Sequence, residues 1–189
     1  MKVTCQQISG WITEYLNSCS SKKVLNRKLS DKLIHPLQCD RKDKETDENI
    51  SQRWLNYIKE KISSFENCHD FQSILEIVRG YAKDFYGIGE LTIYDTATCI
   101  GCPKEIYPNE VHLHAGTRIG ARAIGITGRT ATKAEFVKIC KAFDQLTPIQ
   151  IEDFLCIYKS CLQGDYNKYM KIKANCCSMP HTITPKGCK

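Results

Sequence analysis

Two glycines around one isoleucine, in the run Phe85-Tyr86-Gly87-Ile88-Gly89-Glu90, constrain this chain more than any other feature. Before them, Phe71, Ile74, Leu75, Val78, Ala82 and Phe85 recur at helical spacing, and Asp70 stands where an N-cap belongs. After them, Ile93, Ala97 and Ile100 share one face of a second helix, from about Leu91 to Ile100. Glycine is costly inside a helix and serves where the backbone turns tightly or lets another group come close. Two helices therefore meet in a short corner. The corner is either only a corner, or its bare amides hold something.

The same helical period recurs elsewhere. Ile8, Trp11, Ile12, Tyr15, Leu16 and Cys19 predict a first helix, and Ile50, Trp54, Ile58, Ile62 and Phe65 another. Val111-His112-Leu113-His114 reads as a short extended piece, followed by a helix rich in small residues from Ala115. Thr132 with Glu135, and Thr147-Pro148 with Gln150, are capping-box patterns that open two more helices. Long strand signals and internal repeats are absent, so the expected fold class is all-α, a bundle-like helical domain. The charged stretch before Asn49 and the basic run from Tyr166 divide the chain into an N-terminal arm and connection (1–46), a core domain (47–165) and a tail (166–189).

A net charge of +6 in 189 residues permits an anionic partner without demanding one. The N-terminus lacks a signal-peptide pattern, and no apolar run reaches the length of a membrane span, so a cytoplasmic, intracellular location with no membrane partner is expected. Twelve cysteines, several at core positions of helical patterns (Cys19, Cys140, Cys161), then read as reduced thiols packed like small hydrophobes.

Helix, hydrophobic-Gly-hydrophobic-Gly turn, helix: Tyr86-Gly87-Ile88-Gly89-Glu90-Leu91-Thr92-Ile93-Tyr94-Asp95-Thr96-Ala97 resembles the helix-hairpin-helix motif. The region from about Phe71 to Ile126 resembles the central part of the helix-hairpin-helix DNA glycosylases, with hairpin, loop, short apolar run and next helix in the same order. The resemblance implies DNA as partner, held through its phosphate backbone without sequence preference at Gly87, Ile88 and Gly89, and a place in DNA repair or processing. Arg118, Arg122 and, if the helix runs on, Arg129 would support that grip. The family's catalytic aspartate falls on His114, and the lysine of its bifunctional members falls near Glu90-Leu91. Neither chemistry is matched, and a neutral imidazole cannot supply the negative charge that a glycosylase needs.

Other readings stay open beside it. His114 is a candidate general acid or base, with Tyr94 and Asp95 on the helix after the hairpin as companions, which would make a nucleic-acid- or nucleotide-acting enzyme. A helical module that binds another protein, with a purely structural Gly-Ile-Gly turn, is the third. Cys99-x-x-Cys102 with His112-x-His114 invites a zinc reading, but the expectation is no metal and no cofactor. Cys176, Cys177, His181 and Cys188 lack the spacing of an iron–sulfur site. Gly116, Gly120 and Ala123 predict a face of close helix packing.

Overall fold

Each amphipathic stretch buries its apolar face locally, and the result is two cores rather than one. The computed structural model describes residues 3–17 and 45–167. These residues fall into two compact units, one made of 3–17 with 109–167 and the other of 45–108. Most of the charged connection, the tail cysteines and Cys19 lie outside the described residues.

The 45–108 unit is helical throughout. Helix α2 (Glu45–Glu60) runs into a 3-10 turn (Ile62–Phe65), and α3 (Phe71–Ala82) packs against α4 (Glu90–Gly101). Asp70 caps α3 as its sequence position implies. Its carboxylate accepts from the Ser73 amide at 2.8 Å and from the Ser73 hydroxyl at 2.6 Å. The two bonds from Ser73 hold its carboxyl below the usual aspartate range. Trp54, fully buried, donates its indole N–H to Thr96 at 3.1 Å and so ties α2 to α4. Helix α4 ends through a 3-10 turn (Cys102–Lys104) whose last carbonyls are met by the Glu105 and Ile106 amides. Glu105 there has φ 57°, the left-handed position that glycine usually takes.

The other unit joins α1 (Cys5–Asn17) to a ribbon and four later helices. Strand β1 (Glu110–His112) pairs antiparallel with β2 (Thr130–Thr132), Val111 opposite Ala131. Between them lies α5 (Ala115–Ala123). After them come α6 (Lys133–Ile139), a 3-10 segment (Lys141–Gln145), α7 (Pro148–Ile157) and α8 (Lys159–Leu162). The chain is thus mostly helical, as expected, with β1 where an extended piece was read. The small sheet is an addition that three-residue strands do not announce. Both capping boxes are present. Thr132 accepts from the Glu135 amide while its own amide donates to the Glu135 carboxylate, and Thr147 does the same with Gln150. Helix α5 stops at Ala123 because Gly125, at φ 91°, closes a left-handed cap: its amide and that of Ile126 donate to Arg122 and Ala121.

Helix α1 lies on this unit's core through Ile8, Ile12 and Tyr15, all nearly fully buried. The Tyr15 hydroxyl donates to Asp153 at 2.9 Å, and its ring meets Phe154 edge-on. Burial raises the Asp153 carboxyl above its ordinary range, against the opposing effect of the Tyr15 bond. Cys5 and Cys140 form a disulfide, with Cα atoms 5.2 Å apart. This corrects the expectation of reduced thiols at those two positions. They lie 135 residues apart, and only the fold brings them within bonding reach. Cys68, Cys99, Cys102, Cys156 and Cys161 are not joined in a disulfide.

Gly120 sets the spacing of α5 and α7. A β-carbon on it would stand 2.4 Å from the Leu155 carbonyl oxygen. Gly120→Ala should therefore lower stability by about 3 kcal/mol in chemical denaturation. Gly10→Ala, where a β-carbon meets nothing within 4 Å, should raise it by about 0.5–1 kcal/mol.

A raised carboxyl pKa makes a pH prediction. The folded state holds the Asp153 proton more tightly than the unfolded one does. Its contribution is present below the ordinary value of 3.8 and is lost as pH rises through the folded value. Asp153→Asn should remove that loss, so melting curves of variant and wild type should diverge from pH 4 upward, with the variant the more stable.

Candidate functional site

The turn between α3 and α4 follows from its residues. The amides of Lys83, Asp84 and Phe85 reach back only three residues, to Gly80, Tyr81 and Ala82, so the helix tightens before it ends. Phe85 turns inward, its ring 4.9 Å from Tyr57 and 5.3 Å from Trp54. Tyr86 is left 96% exposed. Gly87 has φ 92°, which reverses the chain at a conformation that L side chains rarely adopt. Ile88 is half-buried and anchors the turn in the unit's core.

Gly89 is the N-cap of α4, at φ −93° and ψ 175°, and its carbonyl accepts the Ile93 amide at 3.0 Å. It has no side chain with which to cap the first-turn amides. A β-carbon there would meet nothing within 4 Å. The approach to the helix start is thus open and carries the positive end of the helix dipole. Glu90, in the first turn, opposes an anion at the same place. The described part of the unit does too: residues 45–108 carry six Lys or Arg against eleven Asp or Glu. The chain's positive excess resides in residues 18–44 and 168–189.

The remaining predicted residues are divided. Tyr94 and Asp95 lie on α4. Tyr94 is 3% exposed, a core residue whose ring meets Phe71 edge-on, and Asp95 is half-buried. His114, Arg118, Arg122 and Arg129 belong to the other unit. His114 is buried at the N-cap of α5, its ring 6.2 Å from that of His112 in near-parallel stacking. Arg118 is half-buried, and its Nε and Nη2 donate to the Leu113 carbonyl at 3.2 and 2.9 Å. Arg122 shares its helix and is exposed. Arg129 does not share that face, since α5 ends six residues before it. Its carbonyl accepts the Leu113 amide at 2.7 Å, extending the ribbon, and its side chain is exposed.

Cys99 and Cys102 lie in one unit, and His112 and His114 in the other. Among the described residues no group of three or more His, Cys, Asp or Glu is gathered to hold a metal ion. Among them, too, no helix is long and apolar enough to cross a membrane. The small-residue face of α5 is real at Gly120 and Gly116. A β-carbon on Gly116 would stand 3.2 Å from the Cys156 sulfur and 3.4 Å from Lys159 Nζ. Ala123 is exposed and takes no part. No protein-family model, curated protein or solved structure matches this chain.

The two arginines of α5 thus differ in what they hold. Arg118→Ala should lower the melting temperature, because a charged donor pair to a backbone carbonyl is lost, about 1–2 kcal/mol at a half-exposed site. Arg122→Ala should change stability by less than about 0.5 kcal/mol. Equal effects in thermal unfolding would contradict this assignment.

Proposed function

We propose that the chain binds DNA through its phosphate backbone, using the turn at Gly87-Ile88-Gly89 as a helix-hairpin-helix contact on a glycosylase-like scaffold without the glycosylase chemistry. The observation that carries the reading is Gly89. Its backbone angles are open to any residue, and no neighbour crowds its missing side chain. Among the described residues, neither conformation nor packing asks for glycine there. A phosphate approaching the first-turn amides of α4 would. The acidic character of the hairpin's own unit makes this grip weak alone. The basic residues 18–44 and 168–189 supply the long-range attraction that brings DNA to it. Repair or processing of DNA is the context this reading favours, with no catalytic role assigned to His114, Asp95 or Tyr94.

A second reading, a module that docks on another protein, is favoured by Tyr86 and by Leu91, which is 42% exposed, on either side of the glycines. It predicts no nucleic-acid affinity.

Fluorescence anisotropy with a labelled duplex at low salt separates the two. Wild type should bind, with a steep salt dependence. Gly89→Ala should weaken binding by about tenfold and flatten the log K against log salt slope by about 0.9, while changing stability by less than about 1 kcal/mol. Gly87→Ala should instead cost about 1–2 kcal/mol of stability through its left-handed backbone. No binding by wild type, or undiminished affinity in Gly89→Ala, would remove the DNA reading.

A further inference from the structure

One unit is assembled from two pieces of chain that are far apart in sequence. Helix α1 precedes the 45–108 unit, and the rest of its own unit follows it. A helix brought in over so long a connection is opposed by the entropy of closing that loop. Its docking face is apolar: Ile8, Ile12 and Tyr15 lie on the core, and Trp11 stacks near Tyr158 at 6.3 Å. Its side-chain hydrogen bonds to the body include Tyr15–Asp153 and Gln7–Tyr166. Among the described residues, the Cys5–Cys140 bond alone joins these two pieces covalently. Cys5 is exposed at the first residue of α1, while Cys140 is buried where α6 meets the 3-10 segment. A thiolate reaches a surface disulfide far more readily than a buried one.

We propose that the Cys5–Cys140 disulfide is a reversible redox latch that fixes α1 over the aromatic face formed by Phe143, Phe154 and Tyr158. Opening requires an external dithiol. Its thiolate attacks one sulfur, the S–S bond breaks and a mixed disulfide forms. The second thiol of the reductant resolves it. The reductant leaves as a disulfide, and Cys5 and Cys140 each gain a proton as thiols. Two electrons pass from reductant to protein. Helix α1 is then held by its apolar face and its side-chain hydrogen bonds without a covalent tie, and its lifting makes the aromatic face it covers accessible. Closing is the reverse, with a small disulfide such as oxidised glutathione as electron acceptor.

The full-length chain tests this by differential alkylation with peptide mass mapping, and by hydrogen exchange. Air-oxidised protein, blocked in denaturant, should show Cys5 and Cys140 modified only after dithiothreitol. Dithiothreitol should speed amide exchange in residues 5–17 on the order of tenfold or more, and leave 71–101 unchanged. Oxidised glutathione should restore protection. Cys5→Ser, an exposed substitution, should show fast α1 exchange with or without reductant. Alkylation of both cysteines before reduction overturns the proposal. So does α1 exchange that ignores dithiothreitol, or protection that oxidised glutathione fails to restore.

Discussion

Short helices leave their ends exposed, and the satisfaction of those ends organises this molecule. The first turn of each helix offers amides without partners, and the last turn offers carbonyls. Asp70, Thr132 and Thr147 answer at three starts, and Thr4 with Gln7 answers at the start of α1 in the same reciprocal way. Gly125 and Gly164 answer at two ends by turning left-handed, and Glu105 does so at a third. Helices α4, at Gly89, and α5, at His114, start without a side-chain cap. These are the two places where the sequence pattern had suggested a site.

Those two places sit in separate units with different electrostatic character. Among the described residues the hairpin's unit is acidic, and the other is balanced, with seven basic and seven acidic residues. A stripe of arginines beside the hairpin was the expected source of phosphate attraction. Arg118 instead spends its guanidinium on the Leu113 carbonyl and fixes the corner between β1 and α5. His114 in turn has the burial of a packed residue and lacks the charge that oxocarbenium chemistry requires. The positive excess of the chain falls instead in residues 18–44 and 168–189, which carry thirteen Lys or Arg against three Asp or Glu.

Much of this was legible in the residues. Helical period located α1, α3, α4 and α7, since one apolar stripe per helix is what burial demands. Cap chemistry is local, so Asp70, Thr132 and Thr147 announced themselves. What stayed hidden was non-local. The pairing of Thr130–Thr132 with β1 depends on a partner twenty residues away, and three residues carry no alternation to read. Cys140 looked like an ordinary core thiol because its partner is near only in space. Arg118 looked like a solvated or ligand-facing charge because its acceptor is a backbone carbonyl, which sequence never displays. The break at Cys140 between α6 and the following 3-10 segment is likewise invisible in a stripe that continues from Phe136 to Phe143.

Four glycines of this chain show that one residue type is not held in place by one cause. Gly87 is glycine because its backbone is left-handed. Gly120 is glycine because the Leu155 carbonyl occupies the space of a side chain, and Gly116 because Cys156 and Lys159 nearly do. These reasons are internal and would hold for the chain in isolation. Gly89 has neither: its φ is ordinary, and a β-carbon on it would meet none of the described residues within 4 Å. A helix start with an empty approach would gain from serine, threonine or aspartate, which satisfy an amide that glycine leaves to water. Glycine at that position gives up a local stabilisation that the same chain accepts at Asp70, Thr132 and Thr147. The contrast sets Gly89 apart from the other three: among the described residues, neither backbone angle nor packing accounts for it.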